Sequence, residues 1–100
     1  MTSAKVRFHR LAAREYRSAR DWYRKSSETV VSKFRDAVDK AIARIEKNAD
    51  ALPLLTTGYR YVRVARYPYI LVFRRRDDHS VMVVAVAHTS RRPGYWRRRK

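Results

Sequence analysis

The spacing of the hydrophobic residues in this 100-residue chain changes near Gly58, and this change limits the folds open to it. Between Leu11 and Asn48, apolar residues recur every three or four positions, as on one face of an amphipathic helix. After Gly58 they alternate with polar residues, and a period of two is typical of strands. A chain that is helical first and stranded later is expected to form an α+β fold.

Two helices are predicted in the first half. The apolar face of the first helix is formed by Leu11, Ala12, Tyr16, Ala19, Trp22 and Tyr23. The second helix is predicted to run from Glu28 to Asn48, with a clear apolar stripe. Ser26 and Ser27 separate the two helices, and either hydroxyl can cap the second. Because this connection is short, the helices should form an antiparallel hairpin.

Four strands are predicted. Val6 and Phe8 alternate with polar residues, which indicates a short edge strand before the first helix. Three further strands are expected at residues 59–65, 69–75 and 81–88, joined by short turns as an antiparallel meander. The last strand is apolar on both faces and should be central. The predicted order is β-α-α-β-β-β, in one domain spanning residues 1–100, with the helical hairpin on one face of a small antiparallel sheet.

The second half of the chain is strongly cationic. The whole sequence has a formal net charge of +16, and residues 51–100 hold twelve basic residues but only two acidic ones. All but one of these twelve are arginines, whose planar guanidinium suits phosphate and carboxylate groups. The other face of the predicted sheet is expected to be partly open and to carry arginines. Composition therefore favours an acidic partner.

Several classes of function are disfavoured by what the sequence lacks. There is no cysteine, which excludes disulfides and fits a reducing compartment such as the cytoplasm. The longest apolar run, residues 81–87, is too short to cross a bilayer, so no membrane partner is expected. With two glycines there is no phosphate-binding loop, and the three histidines are too scattered for a metal site. We expect no cofactor.

His88 is the one side chain that could exchange a proton near neutral pH. It ends the last strand, and the residues that could surround it are Arg60, Arg63, Arg66, Arg74 and Tyr95. Such a set could cleave RNA through the ribose 2′-hydroxyl. The alternative is structural: His88 ends the strand and hydrogen-bonds to the backbone.

A basic tail begins at about residue 93 and carries the second candidate site. Tyr95 and Trp96 are followed by Arg97, Arg98, Arg99 and Lys100. Aromatic residues beside cations are typical of surfaces that bind nucleic acid or acidic protein. Trp96 could instead fold back over the open face of the sheet, and both interpretations can hold together.

Three segments resemble one known family. They are Arg-Asp-Trp-Tyr at 20–23, Arg-Tyr-Pro-Tyr at 66–69 and Ala-Val-Ala-His-Thr-Ser-Arg-Arg-Pro-Gly-Tyr-Trp at 85–96. With the predicted order of elements, they make the chain similar to the RelE/ParE superfamily of bacterial toxins, and to its ParE branch in particular. The likeness spans nearly the whole chain, and the segment at 85–96 is its specific part.

The resemblance implies the toxin of a type II toxin–antitoxin system, held in a hetero-oligomer by an acidic antitoxin. Its implied target is DNA gyrase, inhibited by binding and without covalent chemistry. We expect the target to be contacted by Arg91, Arg92, Tyr95, Trp96, Arg97, Arg98 and Arg99. The antitoxin should lie along the helical hairpin and the open sheet, where it would meet Arg60, Arg63 and Arg74.

Two alternatives remain at this point. The RelE branch cleaves mRNA on the ribosome, and a ribosome-dependent endoribonuclease would use His88, Arg63, Arg74 and Tyr95. The chain could also be a non-toxic family member that only binds its antitoxin.

Overall fold

The structure, a computed structural model, describes residues 4–100. Its elements in chain order are β1 (Lys5–Phe8), α1 (Arg10–Arg24), α2 (Glu28–Asn48), a short 3₁₀ turn (Ala49–Ala51), β2 (Leu54–Thr56), β3 (Tyr59–Arg63), β4 (Tyr69–Arg75) and β5 (Ser80–His88). The α+β class, the helical hairpin and the strands expected from the sequence are confirmed. The Ser27 hydroxyl accepts a hydrogen bond from the Val30 N–H at 3.0 Å, which starts α2 at the expected residue.

The five strands form one sheet in the order β1-β5-β4-β3-β2. The pairs β5–β4, β4–β3 and β3–β2 are antiparallel, whereas β1 runs parallel to β5. The sheet is therefore mixed rather than wholly antiparallel, with β1 at the edge where the sequence predicted it. The strand β2 was not predicted. It is only three residues long, and its adjacent leucines, Leu54 and Leu55, do not alternate with polar residues.

The helices cover one face of the sheet, and Phe34 of α2 lies at the centre of that interface. Phe34 is fully buried, and four tyrosine rings surround it with centroids 4.8 to 6.0 Å away: Tyr16, Tyr23, Tyr67 and Tyr69. These aromatic pairs join α1, α2 and the start of β4, which fixes α1 against the sheet. Neither helix of residues 4–100 has the length and apolar character that a bilayer span requires.

The opposite face of the sheet is covered in part by the tail. Trp96 is 3% exposed and packs against Val72, Val84, Ala85 and Ala87. Its ring centroid also lies 4.7 Å from that of Tyr59. Gly94, at φ 82°, reverses the chain so that the indole can reach the sheet, and a Cβ there would meet the Arg97 side chain at 3.1 Å. Trp96 thus folds back over the face expected to be open.

We predict that Trp96→Ala lowers the free energy of unfolding by about 3 kcal/mol, because it removes a large buried side chain and leaves a cavity. Urea unfolding followed by circular dichroism measures this change. The matched control is Trp22→Ala, since Trp22 is 65% exposed and its loss should cost less than about 0.5 kcal/mol. Equal effects of the two substitutions would contradict a docked tail.

Candidate functional site

Glu15, on the sheet-facing side of α1, binds several side chains of the tail through its carboxylate. Its carboxylate takes a two-pronged ion pair from Arg99, with Nη1 at 2.8 Å from Oε1 and Nη2 at 3.0 Å from Oε2. The Tyr95 hydroxyl donates to Oε2 at 2.7 Å, and Arg91 Nη1 lies 3.3 Å from the same oxygen. The side chains of Glu15 and Arg99 are only 14% and 12% exposed, so this pair is screened little by water.

The same pair completes an edge of the sheet. The strand β1 accompanies β5 only as far as the pairing of Phe8 with Val83. Beyond it, the Val86 N–H donates to Glu15 Oε1 at 3.0 Å and the Val84 carbonyl accepts from Arg99 Nη1 at 3.0 Å. One carboxylate and one guanidinium therefore supply the acceptor and the donor that a neighbouring strand would offer.

An irregularity in β5 lies at this point. The register between β4 and β5 shifts between Val72, which pairs with Ala85, and Phe73, which pairs with Val83. Val84 is thus the extra residue of a β-bulge. Bulges re-aim the local backbone, and this one lies where the Glu15–Arg99 pair meets the strand.

Tyr95 is held as a neutral phenol. Burial and the hydrogen bond that it donates to Glu15 raise the pKa of Tyr95 well above its ordinary value. The Arg91 guanidinium carbon lies 3.9 Å from the ring centroid and that of Arg99 5.0 Å from it, so the ring also makes cation–π contacts. A phenol in this setting anchors the tail and is poorly suited to taking up a proton.

The tail arginines divide into two groups. Arg91 and Arg99 are paired with Glu15. Arg92, Arg97 and Arg98 are exposed, although Arg97 Nη2 lies 3.5 Å from the Thr56 hydroxyl. Of the residues predicted to contact a target, these three present their charge to solvent, whereas Trp96 is buried and serves as an anchor.

His88 contacts the turn that follows β5. Its Nδ1 accepts from the Ser90 N–H at 3.1 Å and lies 2.7 Å from the Ser90 hydroxyl. The ring also stands edge-on to Tyr69, its partner on β4, with centroids 5.2 Å apart. The imidazole therefore stabilises the turn that follows β5.

The four residues of the ribonuclease hypothesis do not come together. His88, Arg63 and Tyr95 line one cavity of about 350 Å³ beside the tail. Arg74 pairs with Met82, six residues before His88 along β5, which places it about 20 Å away along the strand. Arg74 therefore lies at the other end of the sheet.

The three arginines expected to meet an antitoxin are also separated. Arg60 pairs with Phe73, on the helix-covered face, and donates to the Leu52 carbonyl at 2.6 Å. Arg63 and Arg74 lie on the opposite face, at different ends of β4. Within residues 4–100 no three histidine or acidic side chains are placed to hold a metal ion.

A family model described as the ParE toxin of the type II toxin–antitoxin system, parDE, matches residues 6–93. The chain belongs to the ParE toxin family. No curated protein matches the sequence significantly. The matched region of this ParE-family toxin ends immediately before Gly94, so Tyr95, Trp96 and Arg99 lie beyond it, whereas Glu15 lies within it.

Glu15 is the residue of the candidate site that was not predicted from the sequence of this ParE-family toxin. It stands among alternating charges on α1, a pattern that predicts a solvated helix face. The helical periodicity contains a partial signal, because Glu15 follows Leu11 and precedes Ala19 on the buried side of the helix. Its partners are 71 to 84 residues away in sequence, too far for any local pattern to connect them.

We predict that Glu15→Ala lowers the free energy of unfolding by about 2 kcal/mol, because it leaves the guanidinium of Arg99 without its counter-charge in a poorly hydrated site. Urea unfolding measures this change. The control is Glu28→Ala, whose carboxylate is 83% exposed and pairs only at 3.7 Å with Arg24. If the two substitutions cost the same, Glu15 does not hold the tail.

A second prediction concerns alkaline pH. Because folding raises the pKa of Tyr95 above its ordinary value of 10.0, its contribution to stability is complete below pH 10 and declines as pH rises beyond it. The difference in unfolding free energy between the unsubstituted protein and Tyr95→Phe should therefore be constant from pH 7 to about 9 and shrink above about 10. Chemical unfolding at stepped pH measures this difference. A gap that stays constant or widens above pH 10 would contradict the hydrogen bond that the phenol donates to Glu15.

Proposed function

We propose that this ParE-family toxin inhibits DNA gyrase by binding it through the exposed arginines of the tail, and that a cognate acidic antitoxin in the cytoplasm neutralises it. The observation that carries the proposal is the fixed presentation of Arg92, Arg97 and Arg98. The Glu15 ion pair and buried Trp96 fix the backbone between these arginines. Because the segment is already ordered, less conformational entropy is lost when a target binds it.

The charge distribution also supports an acidic protein as the neutralising partner. The formal net charge of +16 gives a strong attractive field for an acidic antitoxin and speeds encounter with it. Arg63 and Arg74 lie on the sheet face that the tail covers only in part. An antitoxin segment could contact each of them, although they are too far apart for one short motif.

The rival function, ribosome-dependent cleavage of mRNA, has one supporting observation. His88, Arg63, Arg91 and Arg92 line the same cavity, where a phosphate could meet several cations. Against it, the His88 Nδ1 already accepts from Ser90 and the Tyr95 hydroxyl is bound to Glu15. Binding without covalent chemistry is therefore the better supported function.

We predict that the double substitution Arg97→Ala/Arg98→Ala reduces gyrase inhibition and growth arrest by at least about tenfold while antitoxin binding is retained, because truncating charged interface anchors raises the dissociation rate. Inhibition is measured with purified gyrase in a supercoiling assay and toxicity by induction in cells. The control, Arg35→Ala/Arg44→Ala, removes two exposed arginines from α2, so its net charge equals that of the tail variant.

Messenger RNA integrity is followed in the same induced cultures. Rapid cleavage of transcripts with normal supercoiling would contradict the gyrase proposal and favour the ribonuclease. Antitoxin binding with neither growth arrest nor gyrase inhibition by the unsubstituted chain would identify a non-toxic family member.

A further inference from the structure

The edge strand β1 presents cations on the face of the sheet opposite the helices. Val6 and Phe8 pack into the core between the sheet and the helices. Because side chains alternate along a strand, Lys5 and Arg7 lie on the other face, and both are exposed. This edge of the face therefore carries two positive charges.

Two arginines of β4 continue the positive charge across the sheet. Met82 of β5 is the partner of both Arg7 and Arg74, so these two arginines flank it, and Arg74 Nη2 lies 4.0 Å from the Met82 sulfur. Arg76 follows β4 directly and lies on the same face by alternation. We call Lys5, Arg7, Arg74 and Arg76 the sheet patch.

The sheet patch has no acidic neighbours on the strands that the structure describes, since none of these strands contains Asp or Glu. Within residues 4–100, no member of the patch forms an ion pair. Arg75 faces the helices instead and pairs with Asp50 at 3.0 Å. Asp77, in the turn after β4, accepts a hydrogen bond from the His79 N–H at 2.8 Å. The four charges of the patch are therefore available to an anionic partner.

The size and composition of the patch match a short stretch of phosphate backbone. Lys5 and Arg7 are about 7 Å apart along β1, and β1 and β4 are about 10 Å apart because β5 lies between them. One strand of duplex DNA carries a phosphate per about 3.4 Å of helix axis, so a surface of this width faces about three phosphates. A protein partner would need apolar area at the centre of its interface, but the exposed large apolar side chains of the described residues, Trp22, Leu54 and Leu55, lie on α1 and β2.

The aromatic rings between the patch and the tail are not free to stack on bases. Trp96 is buried, and its ring centroid lies 4.7 Å from that of Tyr59. Proteins that bind single-stranded nucleic acid use exposed aromatic rings as stacking platforms. The patch therefore suits a duplex, whose bases are already paired and whose phosphates face outward.

We propose that the sheet patch binds the phosphate backbone of duplex DNA without sequence preference. The choice of DNA over RNA rests on the proposed function, because duplex DNA is the substrate of gyrase. The Tyr59 hydroxyl donates to the Arg97 carbonyl at 3.5 Å, so the tail borders the patch. A duplex on the patch then runs beside Arg97 and Arg98, and the toxin contacts gyrase and its DNA together. Antitoxin and DNA compete for Arg74, which agrees with neutralisation.

The test measures binding of the full chain to a labelled duplex of about 20 base pairs and mixed sequence, by fluorescence anisotropy at several salt concentrations. The variant Arg7→Gln/Arg74→Gln removes two charges of the patch and keeps most of each aliphatic stem. We expect it to bind the duplex at least about tenfold more weakly in about 50 mM salt, because two phosphate contacts are lost. The slope of log K against log salt should become shallower by about two.

The matched control is Arg35→Gln/Arg44→Gln, which removes two exposed arginines of α2, so its net charge equals that of the patch variant. We expect the affinity of this control for the duplex to change by less than about threefold. The variant Arg7→Lys/Arg74→Lys keeps both charges and should also bind within about threefold of the unsubstituted toxin. Equal losses in the patch variant and the control would overturn the inference, because binding would then follow total charge alone.

A second measurement needs no substitution in the patch. Met82 lies between Arg7 and Arg74, so the NMR signal of its ¹³C-labelled methyl group reports on the patch. This signal, assigned with Met82→Leu, should move when the unlabelled duplex is added. A Met82 signal that stays in place at saturation would overturn the inference.

The remaining outcomes separate the inference from the proposed function. Inhibition of gyrase supercoiling by a toxin that does not bind the duplex would overturn the inference alone. Binding of the duplex through the patch without gyrase inhibition would overturn the proposed function alone. If a mixed-sequence single-stranded RNA binds more tightly than the duplex and the patch variant loses this binding, the inference is overturned and the patch is an RNA site.

Discussion

The ion pair between Glu15 and Arg99 is the interaction on which the arrangement of the tail depends. A buried ion pair stabilises a protein little by itself, because desolvation offsets the attraction. Here the pair also hydrogen-bonds to Val84 and Val86, at an edge of β5 that β1 leaves free. Its role is therefore mainly to specify one position for the tail, since either charge alone would be left buried without a partner.

This constraint explains how a cationic chain keeps some of its arginines for other molecules. Arg91 and Arg99 form ion pairs with Glu15, and the buried side chain of Trp96 anchors the backbone between them. Arg97 and Arg98 lie on this anchored segment, and their side chains are exposed to solvent. The match to the ParE toxin family ends at residue 93, so two partners of Glu15, Tyr95 and Arg99, belong to the segment that follows, whereas Arg91 lies within the match.

Much of the fold follows from the sequence because its signals are local. Periodicity located α2 from Glu28 to Asn48, and the alternation of residues located β4 and β5. The strand β2 was not predicted because a segment of three residues is too short to show a period. The parallel pairing of β1 was not predicted because it depends on the position of β5, which lies about 75 residues later in the chain. Glu15 escaped for a similar reason, because its role depends on residues of the distant tail. Trp96 could be identified as a candidate but not assigned, since its burial depends on the uncovered sheet face.

The most direct test of this account is the amide hydrogen exchange of Val86, resolved by NMR, in the unsubstituted protein and in Arg99→Ala. The Val86 N–H donates a hydrogen bond to the Glu15 carboxylate, which Arg99 holds in place. Leu71, fully buried on β4, serves as an internal reference. The account predicts slow exchange at Val86 that accelerates by at least about tenfold in Arg99→Ala, with Leu71 unchanged. Equal protection of Val86 in both proteins would contradict it, because the tail would then not complete the edge of the sheet.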